Sequence, residues 1–235
     1  MPVYRMKIAF TGLSLPEGKR KFDDDLFAGF VEKFRPAKVS PYYFEFVAGG
    51  YFGADVIAAT ESSILDVLIL DMEKLENRLS RVGDSAERAA LEKCLAWVED
   101  HRPVCDMVLD ERETAVVRGL GLVSFTPTLV YTTPDPDANT VCRDGMGKAG
   151  MMFFYTVGPQ EVHAWLVRKN ADAVTCAGKI HTHLAQGFIR AEIISCADMM
   201  QCHSMQDARK KGMTRLVERD FPIPEETILD IRFNV

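Results

Sequence analysis

From Ile64 the chain carries apolar residues at Leu65, Leu68, Ile69, Met72, Leu75 and Leu79. Steps of three and four residues mark one face of an α-helix. Gly83-Asp84-Ser85 breaks the repeat, and a second run extends from about Ala86 to Glu99 with Leu91, Cys94, Leu95 and Val98 apolar. Asp84 or Ser85 is the residue type that caps such a helix. Two helices joined by so short a turn run antiparallel, so any fold for this chain must accommodate a helical hairpin over 64–100. Charged residues such as Glu73, Lys74, Glu76, Arg78 and Arg81 belong to its solvated surface.

Shorter elements surround the hairpin. Met6–Phe10 reads as a buried strand and Tyr42–Val47 as another, with "AGGYFGAD" as a glycine-rich joint after it. The segment from Pro16 to Phe34 places Phe22, Leu26, Phe27, Phe30, Val31 and Phe34 at helical spacing, and Arg35-Pro36 ends it. Asp23, Asp24 and Asp25 near the start of this helix favour its dipole more readily than they form a metal site. A helix is expected from Asp110 to Leu120 and a buried strand from Thr128 to Tyr131. "TTPDPDANTVCRDGMGKAG" reads as a loop and as the domain boundary, its Asp144-Gly145-Met146-Gly147 being a chance D-x-x-G match. Beyond it, Met152–Val157, Val162–Val167, Ile189–Ile194 and Ile228–Phe233 are strand-like, with a short helical segment around Cys176–Leu184. A compact mixed α/β unit with a curled sheet follows from that pattern.

Composition limits the function classes. Of the 235 residues 26% are charged, and the net charge is −6. Residues 151–235 hold ten Lys/Arg against ten Asp/Glu, so the acidic excess lies in residues 1–150. Neither part is the basic body that grips duplex DNA through counterion release. The six cysteines show no paired spacing, which points to reduced thiols and a cytoplasmic protein. The opening apolar stretch runs straight into Glu17, Lys19, Arg20 and Lys21, unlike a signal peptide, and no uncharged run is long enough to span a membrane. His181, His183, Cys196, Cys202 and His203 are ligand types zinc accepts, but their spacing matches no zinc pattern and no metal is expected. No Cys/His pair stands out as a nucleophile, so no catalytic residue is assigned. Trp165 and Phe188 fall in strand-like segments and are expected in the core, and Gly187 is read as a tight turn before Phe188.

The first strand leads into "TGLSLPEGKRKF". A phosphate-binding P-loop is G-x-x-x-x-G-K-[ST], with backbone amides around the phosphates and a hydroxyl on Mg²⁺. Here five residues separate Gly12 from Gly18, Arg20 stands where the hydroxyl belongs, Pro16 removes an amide and Glu17 adds a negative charge. The outline is that of a P-loop, but the parts are not.

The C-terminal third carries a resemblance. Glu161-Val162-His163-Ala164-Trp165, Ala177-Gly178-Lys179-Ile180-His181-Thr182, Gly187-Phe188-Ile189-Arg190-Ala191-Glu192 and Arg232-Phe233-Asn234-Val235 resemble the C-terminal end of the Obg-like ATPase family, YchF type. That end is a TGS domain of β-grasp fold (DUF933-like). "DVLILDMEKLENRLSR", "ALEKCLAWVEDHRP" and "GLGLVSFTPTLVYTTPDP" look like the family's hairpin insertion and following strand, and "MKIAFTGL" like its P-loop entry. The resemblance implies an α/β protein: a shortened, P-loop-like part over 1–140 that includes the hairpin, then a TGS-like domain over 150–235. It departs from the family at the P-loop hydroxyl, at the switch region, and at the N-x-x-E purine reader, whose place holds Thr132-Thr133-Pro134-Asp135-Pro136. The expectation is a truncated, non-catalytic binding or regulatory protein without a cofactor. RNA, the ribosome or a translation-related protein is the implied partner, with Lys179, His181, Arg190, Arg209, Lys210, Lys211 and Arg215, joined by Arg219, as candidate contacts. The alternative is weak ATP or GTP binding, with Mg²⁺, through Gly12, Gly18 and Lys19.

Overall fold

A computed structural model describes residues 5–234; Val235, in the last resemblance motif, lies outside them. The chain divides into two units. The first holds residues up to Arg20 together with Phe44–Ala149, the second Lys21–Tyr43 together with Gly150–Val235. The segment 21–43, expected to belong with the N-terminal part, lies in the second unit.

The chain opens with β1 (Lys7–Thr11), β2 (Gly18–Lys21), α1 (Asp25–Phe34), β3 (Lys38–Ser40) and β4 (Tyr43–Ala48). The long helix expected from Pro16 is therefore shorter, and Gly18–Lys21 is a strand instead of a helix start. Asp24 caps α1, accepting the Phe27 amide at 3.2 Å. With its carboxylate ending the extended stretch there, the helix cannot begin earlier.

β5 (Val56–Thr60) leads into α2 (Leu65–Leu79), α3 (Ser85–Glu99) and α4 (Glu111–Leu120), then β6 (Thr128–Tyr131) and α5 (Ala138–Lys148). The first sheet has the order β2-β4-β1-β5-β6, with β1 parallel to β4 and β5, and β5 parallel to β6. All five residues of β5 are buried, as a parallel strand covered on both faces requires. On one face Ile57 and Ala59 join a core with Leu68, Leu75, Leu91, Cys94 and Val98 of the hairpin. On the other, Gly145 of α5 brings its backbone against Val56 and Ile8.

The hairpin forms as read. Asp84 accepts the Glu87 amide at 2.7 Å, and Arg78 clasps Glu87 across the turn at 2.6 and 3.0 Å. Leu65 and Ile69, expected on the apolar stripe, are exposed. Two other expectations change. The segment taken as a loop contains α5, because Asp137 caps it through the Thr140 amide at 2.8 Å and Gly145 supplies close packing in place of a break. The strand β6 has only Thr128 buried, since it stands at the edge of its sheet.

The second unit adds β7 (Met151–Val157), β8 (Glu161–Arg168), α6 (Ala173–Ile180), α7 (Thr182–Gln186), β9 (Phe188–Ser195), α8 (Cys196–Met199), α9 (Met205–Lys210), β10 (Arg215–Val217) and β11 (Thr227–Phe233). Its sheet runs β10-β9-β11-β7-β8-β3, so a strand from the N-terminal segment closes one edge, parallel to β8. Side chains alternate across the sheet. Met152, Phe154, Val167, Ala191 and Leu229 form one core with Cys176 and Ala177 of α6. Facing the other way, Tyr155 meets Phe30 of α1 at 5.6 Å, and Phe153 meets Phe22 at 5.6 Å and Tyr42 at 5.2 Å. The Tyr155 hydroxyl donates to Asp24 at 2.7 Å, tying the α1 cap to the sheet.

Candidate functional site

Two places can carry function, one in each unit. Open parallel sheets bind ligands outside the carboxyl ends of their strands, which in the first unit means Thr11, Thr60 and Tyr131. Gly12 lies there with φ +67°, and a side chain on it would meet Ser63 Oγ at 2.3 Å and Thr60 Oγ1 at 2.7 Å. Those hydroxyls bond each other at 2.8 Å, and Ser63 Oγ also donates to the Thr11 carbonyl at 2.9 Å. Thr11 Oγ1 donates to Asp66 at 2.8 Å, and the Ser14 amide is spent on the Pro134 carbonyl at 2.7 Å. The loop after β1 is thus held by protein groups.

Gly18 and Lys19 do not continue that loop into a helix. They form β2, an exposed edge strand, and the next helix starts at Asp25. A P-loop points its amides and a helix N-terminus at the phosphates together, and here Gly12 and Lys19 lie on opposite sides of a loop that ends in a strand. Arg20, in the place of the metal hydroxyl, faces a carboxylate: it helps hold Asp137 below the usual carboxylate range, after the larger effect of the Thr140 amide.

The second unit holds the candidate contact residues, and many of their charges are answered internally. Arg209 bonds Glu192 at 2.7 Å and Asp230 at 2.5 Å, Arg190 pairs with Glu218 at 3.1 Å, and Lys211 with Asp207 at 2.9 Å. Arg215 lays its guanidinium over Phe221 at 4.7 Å, and Arg219 over Phe188 at 5.6 Å. Lys210 is exposed at the end of α9. Lys179 is half-buried on α6, and burial pushes its ammonium pKa down. His181 caps the short α7 through the His183 amide at 3.2 Å, with the two rings 4.7 Å apart. Of the candidate contacts only Arg209 joins the carboxylate network of Glu192 and Asp230, Arg190 pairs separately with Glu218, and Lys179 and His181 lie on or beside the helices of the opposite face.

Sequence reading missed the centre of that network. Glu192 is 2% exposed and accepts Thr214 Oγ1 at 2.7 Å, Arg209 Nε at 2.7 Å and Arg232 at 2.9 Å. Burial alone raises its pKa, but these three hydrogen bonds outweigh it and hold the carboxyl below its usual range. The alternation Arg190-Ala191-Glu192 was the available signal, since it puts both charges on one side of β9. A depressed folded-state pKa stabilises the fold above the unfolded carboxylate pKa and loses that contribution as pH falls through the folded value. The urea midpoint of this unit, followed at Trp165, is expected to drop between about pH 5 and pH 3. Glu192→Gln should lower the stability of this unit by about 1–3 kcal/mol at neutral pH and flatten the dependence of the midpoint on pH; equal pH dependence in both proteins would contradict this assignment.

Trp165 stacks on His163 at 3.6 Å and donates to Thr156 at 3.0 Å, and Phe188 is buried, so both serve the core. Gly187 is needed for a different reason than a turn: a side chain there would strike the Asn234 carbonyl at 2.0 Å. Cys196 and Cys202 are buried, the Cys196 thiol pushed up to about 12 by burial. Among the described residues no three His, Cys, Asp or Glu side chains gather into a metal-holding group, and no helix is long and apolar enough to cross a membrane.

Residues 151–234 match a family model described as YchF-GTPase_C, a protein of unknown function (DUF933). A ribosome-binding ATPase YchF of Haemophilus influenzae is 34% identical over 133 residues, which is 57% of this chain and 36% of the relative. One from Bacillus subtilis is 25% identical over 247 residues, covering 77% of this chain and 68% of the relative, so that alignment extends well beyond the second unit. One from Escherichia coli O157:H7 is 24% identical, with 64% of its length covered. The chain thus spans about a third to two thirds of these relatives. The structure of the Schizosaccharomyces pombe YchF GTPase superposes with a TM-score of 0.77 over 99% of both chains at 14% identity, a likeness of fold. The chain is thus similar to YchF proteins in sequence, through a family model over residues 151–234 and through these relatives, and shares the α/β fold of the solved YchF GTPase.

Proposed function

We propose that the protein is a non-catalytic, ribosome-associated binding protein that works through its second unit. The observation that carries the reading is the conformation of Gly18–Lys21. A strand stands where nucleotide hydrolysis needs a loop leading into a helix, and the place beside Gly12 is filled by Ser63 and Thr60. Phosphoryl transfer depends almost wholly on positioned phosphates and Mg²⁺, and Arg20 cannot coordinate a metal. Ribosome association is carried over from relatives named as ribosome-binding ATPases, and the match of residues 151–234 to the YchF-GTPase_C model favours the second unit as its carrier. Lys210, Arg215 and Arg219 stand exposed there, the two arginines over aromatic rings, as cations for an RNA backbone.

Sedimentation with purified ribosomes tests the first part. The protein should pellet at low salt and less so at raised salt, and the triple charge removal at 210, 215 and 219 should weaken pelleting several-fold. Absence from the ribosomal pellet at low salt overturns the reading. Phosphate release from Mg-ATP or Mg-GTP should not exceed that of buffer; turnover above it, lost in Lys19→Ala, would restore the nucleotide alternative.

A further inference from the structure

Two arginines of the second unit are mounted on aromatic rings. Arg215 carries its guanidinium carbon 4.7 Å from the centre of the Phe221 ring, and Arg219 5.6 Å from that of Phe188. Both distances are within reach of a cation–π contact. The rings are fixed from below: Phe188 is buried in the core that α6 forms with the sheet, and Phe221 packs against the same core. Register puts Arg215 on that side too. It lies opposite Ile193 of β9, and Val217, two residues on, lies opposite Ala191; Ile193, Ala191 and Val217 all belong to the core. The two guanidinium groups therefore stand at the rim of one apolar core, with Cα atoms at most about 14 Å apart along the chain.

Both arginines are exposed, so a guanidinium braced on one side by a ring presents its other side to solvent. The brace restricts its rotamers beforehand, which lowers the ordering cost of binding. Among the described residues β10 is the edge strand of its sheet, which leaves room for an extended ligand beside it.

Charge alone does not define that ligand. From Arg215 to Asp220 two arginines are matched by two carboxylates, Glu218 and Asp220, so the segment has no net charge. Glu218 bonds Arg190 at 3.1 Å. A patch for phosphates alone would carry an excess of cations. What these residues add to charge is a pair of flat, polarised faces, and unpaired nucleobases stack on aromatic rings and on guanidinium planes.

We propose that Arg215 and Arg219 stack unpaired bases of a single-stranded RNA on their guanidinium planes, leaving their N–H edges to the phosphates. This rests on the reading that the second unit contacts RNA, and adds which form of RNA it takes. A duplex turns its base faces inward and offers nothing to stack. Lysine cannot replace these arginines, because an ammonium is a point charge without a plane.

The test is fluorescence anisotropy of the full chain with three labelled probes of equal length. They are a mixed-sequence single-stranded RNA, the same strand annealed to its complement, and an abasic ribose-phosphate strand. The single strand should bind at least about tenfold more tightly than the abasic strand, and more tightly than the duplex. Arg215→Lys/Arg219→Lys should lose most of that preference while keeping the salt dependence, since both charges remain. Lys210→Gln should do the reverse, weakening single and abasic strands alike and making the salt dependence shallower. Equal affinity of the wild-type chain for the single and abasic strands overturns the proposal without any variant, and so does an unaltered preference in the double variant. Either result, with ribosome pelleting intact, leaves the reading of the second unit standing; no binding to any probe and no pelleting overturns both.

Discussion

Replacing Phe30 by alanine is expected to destabilise the second unit by about 3–5 kcal/mol, the usual cost of emptying a large aromatic site in a core. Phe30 is fully buried, and its ring meets Tyr155 edge-on at 5.6 Å and Phe34 at 6.4 Å. The loss is a large share of the roughly 5–15 kcal/mol that holds a typical domain folded. The variant also separates two assignments of α1, because the chain has only two tryptophans, Trp97 in the first unit and Trp165 in the second. In a Trp97→Phe background the urea transition seen at Trp165 should move to lower denaturant. A shift worth less than about 1 kcal/mol would mean that the contact between α1 and the sheet contributes little.

Asp71→Ala should be nearly as damaging, at about 3–4 kcal/mol, in the first unit. The side chain is completely buried on α2, and its two oxygens accept the Val123 amide at 2.5 Å and the Ser124 amide at 2.7 Å. Both partners are themselves buried. Removing the carboxylate leaves two donors without water or protein to satisfy them, at about 1–3 kcal/mol each. Asp71→Asn keeps one acceptor and turns an NH₂ towards the other amide, so it should fall between wild type and Asp71→Ala. Native-state hydrogen exchange gives a local readout: the amides of Val123 and Ser124 should lose protection in Asp71→Ala by more than the global stability change explains. Unchanged exchange at both positions would show that the carboxylate is not what holds this turn.

These two residues mark where sequence reading succeeds and where it stops. The hairpin was legible because its periodicity, its turn and its cap at Asp84 lie within 64–100. Likewise α1 was legible as a helix, since Phe27 and Phe30 repeat along one side. Its partner was not, because Phe153 and Tyr155 are supplied far along the chain. Gly18–Lys21 was hidden by its neighbours: the apolar spacing from Phe22 onward dominated a four-residue strand that has no apolar side chain of its own. Asp71 looks like any charged residue on a helix, and only the arrival of Val123 and Ser124 gives its burial a reason. The candidate contacts were legible as a cluster of cations, but their ion pairs were not, since Glu192, Glu218 and Asp230 come from three different strands or turns. Gly12 was legible only as part of a P-loop outline, because the hydroxyls that fill the space beside it come from Thr60 at the end of β5 and Ser63 in the turn after it.

The placement of residues 21–43 in the second unit also has a temporal side. During synthesis this segment leaves the ribosome before residues 44–149 and well before the strands it packs on. At ordinary elongation rates that interval is about 5–20 s, far longer than a short helix needs to form. For that time Phe22, Phe27 and Phe30 have no sheet to cover them, so nascent chains stalled before Gly150 should be more prone to chaperone capture than those released after Phe233.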